Sequence, residues 1–274
     1  MRIEKHRQDQ LASKYSQTAK DQSKILEKLA TGKRINRASD DAAGMAVAKE
    51  FDKQVRAYRN AAENIQAGMS AMNIADGGAS TISDMLQRQN ELAIQAANGA
   101  YNQDQRDAID REFQSLSQEI DRQSKSTEFN GQKLLDGTGK LADGTGKIQA
   151  GDGDSDSVTL TAADLTLNSL NLASDKLDSR EGALRAMANI DAAMKKVNDV
   201  RASQGSMNNR LEYALSNNQT QQVNTTQALS NIEDLDYAQG LTEKVKNDIM
   251  AHSQEAAISQ FNQLSRTHLL ALLQ

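Results

Sequence analysis

Few side chains in this 274-residue chain are placed to do chemistry, and spacing decides how each is read. Asp40-Asp41 sets two carboxylates side by side, the residue types of a general acid and base. No partner base or pocket motif accompanies them. With Ser39 before them and an apolar-periodic run after, the pair reads as a helix cap and a charge meeting the helix dipole. His6, His252 and His268 stand singly and share no ligand spacing, so no metal site is expected. Asp152-Gly153-Asp154-Ser155-Asp156 alternates like the first ligands of a calcium loop. Ser157 stands where that loop needs Gly, and Ala163 where it needs Glu, so an acidic turn is expected. Asn218-Gln219-Thr220 and Asn224-Thr225-Thr226 fit the glycosylation sequon but fall in a predicted packed helix. Glycine-rich phosphate loops and nucleophile triads are missing. The expectation is no enzyme, no catalytic residue and no cofactor.

What remains is architecture. Aromatic residues make up 3% of the chain and tryptophan is absent, so a thick globular core would lack large side chains. Proline is also absent. With abundant Ala, Gln, Lys, Arg, Glu and Leu, this permits helices without internal breakers and predicts long bundles with thin cores of Ala, Leu, Ile and Met. The absence of cysteine excludes disulfides and thiolate metal sites. A net charge of −5, with no dense basic patch, gives no case for nucleic acid. No run of about 18 apolar residues occurs, and no apolar stretch follows the N-terminal charges, so neither a membrane span nor a classical signal peptide is expected. Residues 1–37 hold ten Lys/Arg against four Asp/Glu, whereas 136–178 holds three Lys against eight Asp.

Two helical arms flank a different middle. Ile65, Met69, Met72, Ala79, Ile82, Leu86 and Leu92 recur at helical steps, as do Leu184, Met187, Ile190, Met194, Val197, Met207, Leu211 and Leu215, and both sets predict packing seams. Asn98 to Asp104 breaks the first pattern, and a second helix is predicted over about 105–127. Asn130-Gly131 turns the chain. Within 136–178, turn pairs alternate with Val158-Thr159-Leu160-Thr161 and Leu165-Thr166-Leu167, which predicts a small tip of short β-hairpins. A helix over about 179–231 returns the chain, and one over about 237–273 pairs with residues up to about 35. Neither terminal segment has a wide apolar face, and isolated helices with such narrow stripes are marginal in water. They are expected to order when neighbours supply the missing surface. The fold class is mainly α: a long antiparallel helical bundle or coiled coil with paired N- and C-terminal helices and a small β-hairpin tip. Three parts are expected: 1–40 with 236–274, 41–135 with 179–235, and 136–178.

Arg34-Ile35-Asn36-Arg37-Ala38-Ser39-Asp40-Asp41-Ala42-Ala43-Gly44-Met45-Ala46 resembles the N-terminal signature of bacterial flagellin, and Leu29 to Lys33 completes the block before it. Gln87 to Asn98 is similar to a helix of that family's conserved domain. Glu119-Ile120-Asp121-Arg122 and Glu128 to Leu135 follow at the family's spacing, and Ile232 to Ala238, Gln260 to Gln263 and Leu269 to Leu273 resemble its closing segment. The blocks stand in the family's order over nearly the whole chain. Met1-Arg2-Ile3 resembles the hook-filament junction protein, a relative sharing both terminal regions, and the last block lacks the proline many flagellins carry. The Asp-Asp-Ala-Ala-Gly block and the last helix favour flagellin, with the junction protein as the alternative.

The resemblance implies a short form carrying only the conserved core domains. Its role would be a structural subunit that polymerises into the extracellular flagellar filament for motility. It further implies export through the flagellar type III apparatus, a cytoplasmic export chaperone gripping the C-terminal end, and assembly beneath the filament cap. In such a filament the paired termini line the lumen, the central helices form a middle shell and 136–178 faces outward. The inner-tube contacts would fall to Ile25, Leu26, Leu29, Ile258, Leu264, Leu269, Leu270, Leu272 and Leu273. The signature residues are Arg34, Ile35, Asn36, Asp40, Asp41 and Gly44. Many flagellins are detected by the animal innate receptor TLR5, and Arg88, Leu92 and Glu112 match that motif, although subunit contacts alone also explain these residue types.

Overall fold

A computed structural model describes residues 2–138, 146–153 and 156–272, with side chains described at 6–7, 9–138, 146–153 and 156–264. In chain order the elements are α1 (Arg2–Thr31), α2 (Ala42–Ala97), α3 (Gln103–Ser126), β1 (Glu128–Phe129), β2 (Gln132–Lys133), β3 (Lys147–Gln149), β4 (Ser157–Thr159), α4 (Arg180–Glu233) and α5 (Tyr237–Leu272). The mainly helical class with a few short antiparallel strand pairs is as expected from the sequence. The chain divides into two compact units: 1–54 with 224–274, and 55–223. Both divisions fall inside continuous helices, α2 and α4, because no breaker residue marks them.

The 55–223 unit holds the main core. Phe113 from α3, Ile65, Ile82, Leu86 and Leu92 from α2, and Ile190 and Val197 from α4 are all buried. On α4 the buried stripe is Ala183, Ala186, Ile190, Ala193 and Val197, spaced by three and four residues. Leu184, expected in the seam, is half exposed instead. Three alanines in the contact let helices approach closely, and that approach, more than side-chain size, sets which face turns inward. Met69, Met187, Met194 and Leu215 pack at the edge of the same cluster.

Two helix glycines show how close the packing is. A Cβ at Gly78 would lie 2.7 Å from Thr127 Oγ1 and 2.8 Å from Leu135 Cδ1, and one at Gly68 would lie 2.0 Å from Ile148 Cδ1. A helix-interior Gly costs roughly 1 kcal/mol relative to Ala. Here the cost is offset by the hairpin side chains seated directly on the helix backbone.

Asn102 starts α3 with a capping box: its side chain accepts from Gln105 N, and the Gln105 side chain accepts from Asn102 N. The turn at Asn130-Gly131 joins β1 to β2 with φ of 51° and 74°, the paired left-handed conformation of a two-residue hairpin. The strand expected at Val158 to Thr161 forms over Ser157–Thr159, paired with Lys147–Gln149, which the sequence pattern did not single out. The second expected strand, Leu165-Thr166-Leu167, does not form. Thr166 N and Oγ1 both donate to Asp164 Oδ1, a local turn that competes with strand pairing. The described part of 136–178 also contributes to the core. Leu160, Leu165, Leu170, Leu172 and Leu177 are buried in the main core, since apolar area of that size is worth far more inside than exposed.

Candidate functional site

The signature residues build one structure. Beyond α1, Gly32 takes φ 72° and the chain crosses to the break between α4 and α5. There Arg34 N donates to Glu233 O at 2.6 Å, Arg34 Nη2 to Ile232 O at 2.6 Å, and Leu235 N to Gly32 O at 2.9 Å. Lys33 Nζ adds an ion pair with Glu233 at 2.7 Å. Arg34 thus caps carbonyls that the end of α4 leaves without helical partners. Ile35 is buried, and Asn36 Nδ2 donates to Lys33 O.

The adjacent carboxylates face different donors, as caps rather than an acid–base pair. Asp41 Oδ1 accepts from Gly44 N at 2.8 Å at the start of α2, while Asp40 Oδ2 accepts from Arg37 N at 3.0 Å and Asn36 N at 3.2 Å. Gly44 has no room for a side chain, because a Cβ would lie 2.4 Å from Asp41 Oδ2 and 2.8 Å from Ile35 Cδ1. The Arg37 and then Asn36 backbone donors, with Lys28 and Lys24 adding charge, hold the Asp40 carboxyl below its ordinary value. A folded-state pKa lower than the unfolded one means the contribution is present above the unfolded value, near 3.9, and is lost as pH falls through the folded one. Asp40→Asn is therefore expected to lower melting modestly at neutral pH and to converge on the wild type below about pH 4, which flattens the acid limb, as read by thermal melts across a pH series.

Helices α1 and α5 pair within the 1–54 and 224–274 unit. Gln22 Nε2 donates to Asp248 Oδ1 at 2.6 Å, Tyr237 OH donates to Leu29 O at 3.3 Å, and a Cβ at Gly240 would lie 3.1 Å from Leu29 Cδ2. Lys244 hydrogen-bonds Asp248 from the same helix and is the largest cause of its lowered pKa. Of the residues expected to contact neighbouring copies, Ile25 is buried within this pair, Leu29 and Ile258 are half-buried, and Leu26 and Leu264 are exposed. Leu269, Leu270, Leu272 and Leu273 lie outside the residues whose side chains are described. Leu241, Val245 and Ile249 belong to the narrow terminal stripe that the sequence expects neighbours to cover, and Tyr237 extends it. Tyr237, Leu241, Val245 and Ile249 recur every four residues and stay exposed, Ile249 at 64%. The signal was the i, i+4 spacing of the apolar residues.

On the 55–223 unit, Arg88 joins two carboxylates: Nε and Nη2 donate to Glu112 Oε1 at 3.0 and 2.8 Å, and Nη1 to Glu91 Oε2 at 2.8 Å. Leu92 does not share this face. It is buried in the core, where it supports α2 from beneath, because helix positions 88 and 91 lie on the outer side when 89, 92, 93 and 96 face inward. Gln89, buried beside it, donates to Phe113 O and Ser117 Oγ.

Among the described residues no group of three or more His, Cys, Asp or Glu is arranged to hold a metal ion. The acidic loop closes on itself: Asp156 N donates to Gly153 O, and Gly153 N to Asp156 Oδ2, with Asp154 and Ser155 outside the described residues. Asn218 is buried and its Nδ2 donates to Ala150 O, which removes the first sequon from the surface. No helix is long and apolar enough to cross a membrane among the described residues.

Comparison with known proteins agrees with these features at both ends of the chain. The bacterial flagellin N-terminal helical region matches residues 6–140 and the C-terminal helical region residues 187–273. A flagellin of Halalkalibacterium halodurans is 36% identical over 240 residues, 88% of each chain. The flagellar filament 33 kDa core protein of Treponema phagedenis is 36% identical over 262 residues, 91% of each. Among solved structures, Bacillus cereus flagellin superposes with a TM-score of 0.51 at 36% identity, over 57% of this chain and 88% of that one. A hook-associated protein from Vibrio parahaemolyticus shares the fold alone, at 12% identity and a TM-score of 0.58. Matched in both helical regions and along most of its length, the chain belongs to the bacterial flagellin family.

Proposed function

We propose that this protein is a structural subunit that polymerises into the bacterial flagellar filament through the α1–α5 pair. Residues 1–40 with 236–274 supply the inner tube, 41–135 with 179–235 the surrounding helical shell, and 136–178 the outward face. The observation that carries this reading is the exposed stripe Tyr237, Leu241, Val245 and Ile249, with Leu26 and Leu264 also exposed, on the paired helices α1 and α5. Contiguous exposed apolar side chains mark interaction surfaces, and open-ended contact between identical copies makes a helical polymer. Export through the flagellar type III apparatus, a chaperone holding α5 before export, and growth beneath the cap follow from the same reading. So does a location outside the cell in the flagellum.

The Arg88–Glu112–Glu91 surface is the axial contact in this scheme, and the face an animal TLR5 would meet on free subunits, with Leu92 acting only from below. The hook-filament junction role is the alternative, and the Vibrio similarity favours it no further than the fold. Hydrogen exchange tests the central claim. Amides of 6–31 and 237–264 are expected to exchange rapidly in dilute monomer and to become protected in filaments grown without limit on seeds. Equal strong protection in the monomer, or growth that halts after a few layers, would overturn it.

A further inference from the structure

We propose that Asn98 is a site of spontaneous deamidation, selected by the corner between α2 and α3. Asn98 and Gly99 directly follow α2, and Gly99 is exposed. The amides around it are engaged: Asn98 N donates to Gln95 O at 3.1 Å, Ala100 N to Asn98 Oδ1 at 3.0 Å, and Tyr101 N to Asn98 O at 3.4 Å. Among the described residues nothing accepts the Gly99 N–H, so this nitrogen is the unengaged nucleophile of the turn. The donor on Asn98 Oδ1 polarises the side-chain carbonyl and leaves Nδ2, the leaving group, pointing elsewhere. Arg106 Nη1 donates to Asn98 O at 3.2 Å and Ala96 O at 3.3 Å, which puts a positive charge where the reaction develops a negative one.

The chemistry needs only water. Gly99 N loses its proton to solvent base and attacks Asn98 Cγ; the Cγ–Nδ2 bond breaks and ammonia leaves, closing a succinimide ring. Water then opens either ring carbonyl. One opening leaves Asp at 98, and the other leaves isoaspartate, with the main chain routed through the side-chain carboxyl. The Asp product keeps the main-chain carbonyl that Arg106 holds, and with it the corner. The isoaspartate product lengthens the backbone by a methylene and opens it. Subunits thereby gain negative charge at this corner with age.

Asn130-Gly131 carries the same dipeptide and serves as the internal control. Its two residues are held at φ 51° and 74° between the pairs Phe129↔Gln132 and Glu128↔Lys133, so rotation toward ring closure must break the hairpin. No hydrogen bond polarises its side-chain carbonyl among the described residues.

The test incubates the folded full-length protein in warm, mildly alkaline buffer and maps peptides by mass spectrometry for exchange of NH for O, with isoaspartyl methyltransferase labelling. Asn98 is expected to convert about tenfold faster than Asn130, the rate equivalent of a barrier lower by ~1.4 kcal/mol. In denaturant the two rates are expected to converge, which assigns the difference to the fold. Gly99→Ala is expected to slow conversion at 98 by about tenfold, since a methyl group crowds the attacking nitrogen. It should leave melting unchanged, because a Cβ there meets nothing within 4 Å. Conversion at Asn130 as fast as at Asn98 in the folded protein, or an unchanged rate in Gly99→Ala, would overturn the proposal.

Discussion

Replacing Leu241 and Ile249 together by Asp is expected to stop filament growth while leaving the monomer's melting curve in place. Both side chains are more than half exposed on α5 and carry no described role in its pairing with α1, so their loss removes little from the folded monomer. Surface substitutions of this kind stay within about 0.5 kcal/mol each. In the proposed assembly the same side chains are buried against copies of the chain, at about 1.5–3 kcal/mol each when fully covered. Losing both, and placing carboxylates in the contact, raises the critical concentration by roughly two to four decades, since each 1.4 kcal/mol is about tenfold. Turbidity or electron microscopy on seeds reads the result. Wild-type growth of the double variant would remove the α5 stripe from the assembly surface. Ile25→Ala makes the contrast: Ile25 is buried inside the α1–α5 pair, so that variant is expected to weaken the pair itself where it orders, not its contact with other copies.

Phe113→Ala is expected to act on folding. Phe113 is fully buried in a core short of aromatics, packed with α2 and α4 residues, and its carbonyl accepts the buried Gln89 amide. Large-to-small changes at such sites cost about 3–5 kcal/mol, through lost transfer energy and the cavity left behind. Against a total stability of about 5–15 kcal/mol this is a large share. For a unit of this size the midpoint should fall by roughly 6–20 °C. Calorimetry of the monomer measures it. A shift of only a degree or two would mean the cavity collapses and the α2–α3–α4 packing is looser than its burial implies.

The sequence was most legible where local chemistry dominates. Long helices follow from the absence of proline and the apolar period. The breaks at 98–102 and 130–131 follow from Asn and Gly, and Asp40 and Asp41 announced themselves as caps by lying between a signature turn and an apolar run. Leu92 and Leu184 show where this stopped. Both are apolar residues at helical spacing, yet one is buried and one half exposed, because the inward face of each helix is set by partners on other elements, such as Phe113 and Ser117 against the Gln89 face of α2. Asp164 likewise drew Thr166 into a turn where alternation predicted a strand.

Composition and spacing by themselves determined that this chain makes long helices and leaves its ends short of apolar cover, since those properties reside in neighbouring residues and a few turns of backbone. The motif order tied it to its family. Tertiary structure alone decided that the signature loop staples α1 and α2 to the α4–α5 break, that five leucines of the tip belong to the core, and that Gly68 and Gly78 are seats for hairpin side chains. These depend on distances between segments remote in sequence, and no local preference encodes them.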